Sequence, residues 1–220
     1  MAQKRKGSLM NFHHTFVQSK VNHKQTLILL HGTGGDEHDL LSLGTFLAPH
    51  ASLLGIRGKV KEGQANRFFR RLSEGVFDEA DLLFRTRELS SFLVEVKDHY
   101  GLWDNEWIAV GYSNGANIAA SMLLLEPAVL TSALLFRAMM PLTPPRLPDL
   151  KRHSVYLSSG REDPIVPHAS SERLEETLRA AGADVTHDWQ NAGHGVLQSE
   201  FTSAKTWLAS HTGKPWGDEP

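Results

Sequence analysis

The sequence predicts an α/β fold: a mostly parallel central sheet flanked by helices, with no large lid domain. Three observations predict it. Apolar runs of strand length alternate along the chain with amphipathic stretches of helical period, the pattern of successive β–α units. The glycine-rich and polar motifs fall just after the apolar runs, where ligands bind at the carboxyl ends of parallel strands. One of those motifs, Gly111-Tyr112-Ser113-Asn114-Gly115, sets a serine at a strand-to-helix corner. At 220 residues the chain is long enough for one such domain and short for two. Residues 1–220 therefore read as a single domain, with 1–11 and 212–220 as loose tails.

Residues 12–19 alternate weakly and suit an edge strand, and Lys24 to Leu30 reads as a buried central strand. That strand opens into His31-Gly32-Thr33-Gly34-Gly35-Asp36-Glu37, whose glycines let a backbone approach something closely. No G-K-[ST] follows and the spacing is not G-x-G-x-x-G, so an oxyanion loop fits better than a phosphate cradle. Asp36 to His50 reads as a short helix with Leu40, Leu41, Leu43, Phe46 and Leu47 inward, and Ala51 to Ile56 as the next strand. Arg57 to Phe77 is irregular and long enough to be a functional loop. Within it Phe68 and Phe69 either anchor a basic turn to the core or form the floor of a pocket.

Asp78 to Tyr100 carries Leu82, Leu83, Leu89, Phe92, Leu93 and Val96 at helical spacing. Ile108 to Gly111 is a strand buried on both faces, and the helix after Ser113 ends at Glu126-Pro127. Ser132 to Phe136 is a strand that opens into Arg137, Ala138, Met139 and Met140, where the methionines pack or line an adaptable apolar site. His153 to Ser159 is a strand ending in Gly160-Arg161-Glu162-Asp163-Pro164, with Ile165 a further candidate for the pocket. A helix over Ser171 to Gly182, a last strand over Asp184 to Trp189, and a closing helix over Val196 to His211 complete the chain. In the closing helix Leu197, Phe201, Ala204 and Leu208 form the packing face.

Composition narrows the function. Hydrophobic residues make up 40% and charged residues 22%, with a net charge of −2, which suits neither disorder nor a nucleic-acid footprint. There is no cysteine, so disulfides, thiolate metal sites and a cysteine nucleophile are excluded together. The basic start at Lys4-Arg5-Lys6 is not followed by a sustained apolar run, and no apolar run reaches membrane-spanning length. A soluble cytoplasmic protein is the expectation.

Chemistry converges on Ser113. A serine raised on a tight corner needs small neighbours, which Gly111 and Gly115 supply, and the helix behind it offers backbone N–H groups and a positive dipole end to a developing oxyanion. A hydroxyl needs a base held in its tautomer by a carboxylate. His194, between Gly193 and Gly195 after the last strand, is the candidate base. Asp163 is the candidate carboxylate, preferred over Glu162 because Pro164 fixes the turn directly after it. The order Ser113, Asp163, His194 is the order of an α/β-hydrolase, each residue following its own strand.

Those motifs, with Arg67-Phe68-Phe69-Arg70-Arg71 and Gly111 to Asn117, resemble the serine carboxylesterases of the α/β-hydrolase superfamily. The resemblance is to the phospholipase/carboxylesterase group that includes acyl-protein thioesterases, and most to its bacterial branch of hydroquinone-resistance carboxylesterases. It spans about Phe12 to His211. It implies Ser113 as nucleophile, His194 as general base and then acid, Asp163 as orienting carboxylate, and an oxyanion hole from the backbone N–H groups of Thr33 and Asn114. Acyl-protein thioesterases usually carry glutamine where this chain has Asn114, and Leu-Gly-Asp where it has Thr33-Gly34-Gly35-Asp36. Both act through the backbone, so catalysis should survive those changes while protein depalmitoylation is put in doubt.

The expected activity is therefore hydrolysis of small or short-chain carboxylic esters through an acyl-enzyme. The expected partner is a small-molecule ester, without nucleic acid, membrane span, metal or organic cofactor, and a homodimer is compatible with this reading. Two acyl-transfer or binding alternatives stand beside it: a thioesterase or lysophospholipase, and a non-catalytic ligand-binding module on the same fold. A metal-dependent hydrolase would need His31, Asp36, His38 and Asp39 to converge from one short loop, where an acidic first helical turn is the simpler account of Asp36 and Glu37.

Overall fold

The computed structural model describes residues 11–21 and 23–211. The proposed tails 1–10 and 212–220 lie outside the described residues; Asn11 is exposed and in neither helix nor strand. Eleven strands and five helices follow one another along the described chain. The strands β1 (His14–Val17), β2 (Gln25–Leu30) and β3 (Ser52–Ile56) come first, with α1 (Leu41–Leu47) between the last two. Two small hairpins follow, β4 (Val60–Glu62) with β5 (Ala65–Arg67) and β6 (Arg71–Ser73) with β7 (Val76–Phe77). Then come α2 (Glu79–Tyr100), β8 (Glu106–Tyr112), α3 (Asn114–Leu125), β9 (Ser132–Phe136) and β10 (Ser154–Gly160). The chain closes with α4 (His168–Ala180), β11 (Asp184–Gln190) and α5 (Gln198–His211).

Seven strands form the main sheet in the order β1-β3-β2-β8-β9-β10-β11, and only β1 runs antiparallel to its neighbour. Strand side chains alternate between faces, so each central strand feeds two layers. From β2, Ile28 and Leu30 join Leu82, Leu89, Phe92 and Val96 of α2 and Ile118 and Met122 of α3. Leu27 and Leu29 join Leu47 of α1 and Ala204, Trp207 and Leu208 of α5 on the other face. A parallel sheet covered on both sides needs strands that are apolar throughout, and β2 and β3 are buried at every position. No helix among the described residues is long and apolar enough to cross a membrane.

Four sequence expectations change. The helix expected over Asp36 to His50 shrinks to Leu41–Leu47, because Asp36 turns its Oδ1 onto the His38 N–H at 2.8 Å and holds a turn instead. Phe46 is exposed, with the Lys205 ammonium 4.6 Å from its ring centre, and so does not face inward. Helix α4 begins at His168, earlier than expected, because Pro167 supplies an extended N-cap with φ −60°. Leu197 is exposed rather than packed, since α5 starts after it and its N–H is tied to Glu200 Oε1 at 2.8 Å.

Candidate active site

The chain order β2, β3, β8 reverses direction across the sheet between β2 and β8, the topological switch point at which open α/β sheets bind ligands. The loop after β2 carries Thr33, and the residue after β8 is Ser113. The turn after β10 brings Asp163, and the loop after β11 brings His194.

Ser113 has φ 52° and ψ −112°, a backbone rarely adopted by L-residues. The corner is held by Ser113 N–H donating to Phe136 O at 2.9 Å and by Asn117 N–H donating to Ser113 O at 2.9 Å. It can be this tight only because its flanks lack side chains. A Cβ on Gly111 would come within 2.6 Å of Ala116 Cα, and one on Gly115 would run into the Leu30 carbonyl.

His194 Nε2 lies 2.9 Å from Ser113 Oγ, and His194 Nδ1 lies 2.8 Å from Asp163 Oδ2. An ionised carboxylate can only accept, so Nδ1 carries the ring proton and Nε2 is left to accept from the serine hydroxyl. Asp163 is aimed by its other oxygen, which accepts from the N–H groups of Ile165 at 2.8 Å and Val166 at 3.0 Å. Its side chain is 1% exposed, while the neighbouring Glu162 points to solvent.

The loop bearing His194 is gripped from beneath by residues that sequence reasoning did not single out. Arg137, just past β9, is fully buried with φ 59°. It donates to Gly193 O at 2.9 Å and to Gly195 O at 2.5 Å, the carbonyls on either side of His194. Its two terminal nitrogens also form a bidentate pair with Glu200 of α5, both at 2.7 Å, and Nη1 donates to Ser158 O at 3.2 Å. Glu200 is fully buried too. Burial alone would raise its pKa, but Arg137, the Leu197 N–H and the Ser158 hydroxyl outweigh it and hold the carboxyl below its ordinary range. Tyr112 adds a third tie, donating from its hydroxyl to His194 O at 3.1 Å.

The glycine loop is fixed in the same way. His31 is 1% exposed, its Nδ1 2.6 Å from Gly32 O and its Nε2 3.0 Å from Gly58 N. Because Gly58 N–H donates, Nε2 must accept and Nδ1 must donate, which requires a neutral ring. Burial lowers the His31 pKa in keeping with that, against the smaller raising effects of the Gly32 bond and of Asp39 and Asp36. Two of the four residues named for a metal-dependent reading are engaged elsewhere: His31 by the backbone, and Asp36 by the His38 N–H and, at 3.6 Å, by Arg57. Among the described residues no three His, Cys, Asp or Glu side chains are grouped to hold a metal ion.

A cavity of about 340 Å³ opens over Ser113, lined by Thr33, Arg67, Arg71, Phe77, Tyr112, Asn114, Met139, Ile165 and His194 among others. Of the residues expected at a pocket, Met139 and Ile165 line this cavity. Phe68 and Phe69 do not: they are 2% and 0% exposed and belong to the core, Phe68 against the His31 ring and Phe69 edge-on to Phe77. Met140 lines a neighbouring groove with Pro141, Leu142 and Val76 and does not reach the cavity. In place of the phenylalanines the wall includes Arg67 and Arg71, while Arg70 between them in sequence is exposed and paired with Asp78. Arg67, 4% exposed, donates to Thr33 Oγ1 at 2.7 Å and Phe69 O at 3.2 Å. Asn114 accepts from Phe68 N–H at 2.7 Å through its side chain, so it ties the hairpin segment to the corner as well as opening α3. As the first residue of that helix its own N–H has no intrahelical acceptor.

Residues 70–212 match the phospholipase/carboxylesterase family. The chain belongs to this family. It is 48% identical to the putative hydrolase MhqD of Bacillus subtilis over 191 residues, covering 87% of this chain and 96% of that protein. Among solved structures, the Bacillus cereus carboxylesterase aligns with a TM-score of 0.89 at 44% identity, covering 92% of this chain and 95% of the other. YahD, solved with malic acid, aligns with a TM-score of 0.83 at 30% identity, covering 91% of this chain and 100% of the other. The fold is therefore the α/β-hydrolase fold, and the protein is a hydrolase of the carboxylesterase kind.

Proposed function

We propose that the protein is a serine carboxylesterase that hydrolyses small esters through an acyl-enzyme, with Ser113, His194 and Asp163 as its triad. The observation that carries this is the continuous relay from Asp163 Oδ2 through His194 to Ser113 Oγ, at 2.8 Å and 2.9 Å, in a cavity wall. Ser113 Oγ bonds to the ester carbonyl carbon as its proton passes to His194 Nε2. The N–H groups of Thr33 and Asn114 receive the oxyanion, and the imidazolium is steadied by Asp163. Collapse breaks the bond to the alkoxy oxygen, which leaves with the proton from His194. Water, deprotonated by the same nitrogen, then attacks the acyl carbon and releases the acid and free Ser113. Each step uses groups of this chain and water.

A cavity of about 340 Å³ is at the small end for ligand sites, which supports short esters. A thioesterase or lysophospholipase reading draws on a different feature. Gly75, Phe77 and Met139 line both the cavity and the neighbouring groove of about 560 Å³, a route by which a longer acyl chain could leave the site. Turnover of p-nitrophenyl acetate, butyrate, octanoate and palmitate separates the two, with an organophosphonate to label the active serine. The expected result is a burst on the short esters that stoichiometric labelling of Ser113 abolishes. Full esterase activity in Ser113→Ala would sink the assignment.

A further inference from the structure

Arg67 is an unusual wall for an ester site. Its guanidinium is almost wholly removed from water yet borders the cavity over Ser113. The nearest carboxylate is Glu62, whose Oε2 is 3.4 Å from Arg67 Nε. That carboxylate is already committed: Arg71 contacts it three times, at 3.1, 3.0 and 2.6 Å, and it is 42% exposed. Glu74, also at the cavity rim, lies on an exposed turn. Two guanidinium groups thus share one half-solvated partner, and the more buried of the two has the poorer share. Burial, and then the charge of Arg71, push the Arg67 pKa down, as expected for a cation short of compensation, although arginine stays charged. Nε and one Nη1 proton serve Phe69 O and Thr33 Oγ1; its Nη2 makes no hydrogen bond among the described residues.

We infer that the cavity is built for esters that carry a carboxylate a few bonds from the scissile carbonyl, and that Arg67, assisted by Arg71, is the specificity-determining residue that receives it. The inference rests on the serine esterase reading and adds the substrate class. The geometry favours it over a neutral substrate for two reasons. A guanidinium offers a planar fork of donors matched to a carboxylate, and a desolvated one gains more from an anion than from a neutral group. Arg67 also holds Thr33, so a bound carboxylate would sit beside the loop that offers the oxyanion its N–H, and substrate charge and acyl position would be fixed together. The cavity limits the distance between the two groups to a short chain. The alternative role for Arg67, support of the Thr33 loop alone, makes different predictions.

The test compares monoethyl succinate with ethyl butyrate, matched in acyl length, by proton release in the wild type, Arg67→Met and Glu62→Gln. Each protein is first checked for an intact thermal unfolding transition. The wild type should prefer the anionic ester in kcat/KM. Arg67→Met gives up the Thr33 tie on both esters, so the difference is what counts: it should lose about ten- to a hundredfold more in kcat/KM on monoethyl succinate than on ethyl butyrate, the excess lying in KM. Glu62→Gln should move the preference the other way, since it releases both arginines to the substrate. Equal losses on the two esters in Arg67→Met, with kcat falling, would overturn the inference and leave Arg67 as a positioning residue for Thr33. A wild type indifferent to substrate charge would overturn it as well. Binding of monoethyl succinate to Ser113→Ala, by calorimetry, separates this inference from the esterase reading. Binding that disappears when Arg67→Met is added supports the anion site even if no ester is turned over, and absence of binding refutes it.

Discussion

Replacing Glu200 by glutamine removes the charge opposite Arg137 while keeping the side-chain shape. Both partners are 0% exposed, so neither can turn to water for compensation. Breaking a buried pair by removing one charge costs about 3–5 kcal/mol, because the other is left uncompensated. Glutamine retains one acceptor, which places the expected loss at the lower end, about 3 kcal/mol. For a chain of this size each kcal/mol moves the melting temperature by roughly 2–4 °C, so the transition should fall by about 6–12 °C, observable by circular dichroism. The pH dependence has a definite sign. The Glu200 carboxyl is held below its ordinary range, so its contribution is present at neutral pH and fades as pH falls through the ordinary carboxylate value toward the lowered one. In the variant that part of the acid sensitivity should vanish. Because Arg137 holds the carbonyls of Gly193 and Gly195, the His194 ring should also lose its aim, and kcat should fall with KM nearly unchanged. Arg137→Met with Glu200→Leu is the decisive control. Removing both charges should restore most of the stability, as buried pairs replaced by apolar residues often do, but not kcat, since the carbonyl ties stay lost. A Glu200→Gln protein that melts within about 2 °C of the wild type, with unchanged kcat, would refute the reasoning.

Asp163→Asn should keep the turn, because its Oδ1 can still accept from Ile165 and Val166. It should lower kcat by on the order of 10⁴, since an amide donor facing Nδ1 selects the wrong tautomer; steady-state esterase rates decide. His31 is neutral when folded and its pKa is lowered, so its contribution to stability is complete above about pH 6.5 and is lost as pH falls toward the lowered value. Urea midpoints of wild type and His31→Gln should therefore converge as pH falls below neutral; His187, buried with the same sign of shift, contributes equally to both proteins and cancels in the difference. Gly115→Ala should cost about 1–3 kcal/mol and most of the activity, because its Cβ would meet the Leu30 carbonyl, whereas Gly195→Ala, with nothing within 4 Å of the added carbon, should fold and turn over normally; denaturant unfolding of the pair checks both.

That Ser113, Asp163 and His194 would meet was legible in the sequence because each follows its own strand, and a parallel sheet gathers such positions at one edge. Most elements were legible for the same reason, since strands buried on both faces and helices with one apolar stripe leave different periodicities. The cavity wall was not. Phe68 and Phe69 had the chemistry of a pocket floor, yet between two short hairpins they gain more by filling the core, which leaves Arg67 and Arg71 facing the opening. Nor could Arg137 and Glu200 be paired from their positions, 63 residues apart with no local pattern joining them. The available signal was weaker: a charged residue directly after an apolar strand, in a chain where buried charges must find partners.

The two non-glycine residues with positive φ among those described, Ser113 and Arg137, follow adjacent strands and meet the same problem from opposite sides. Each is a point where the chain leaves the sheet without leaving its hydrogen bonds. Ser113 N–H donates to Phe136 O at the end of β9, and Arg137 N–H donates to Ser158 O in β10, so the ladder carries on for one residue past each turn. Such backbones cost on the order of 1–3 kcal/mol each and persist only where the surroundings fix them. At Ser113 the return is a hydroxyl lifted clear of the sheet. At Arg137 it is a side chain driven under the next loop, where one guanidinium supplies donors to carbonyls that no strand can reach. Ser113 and the loop that carries His194 are therefore set by one device used twice along neighbouring strands. The contact between Ser113 Oγ and His194 Nε2 therefore rests on Arg137 and Glu200 as well as on the two residues that meet there.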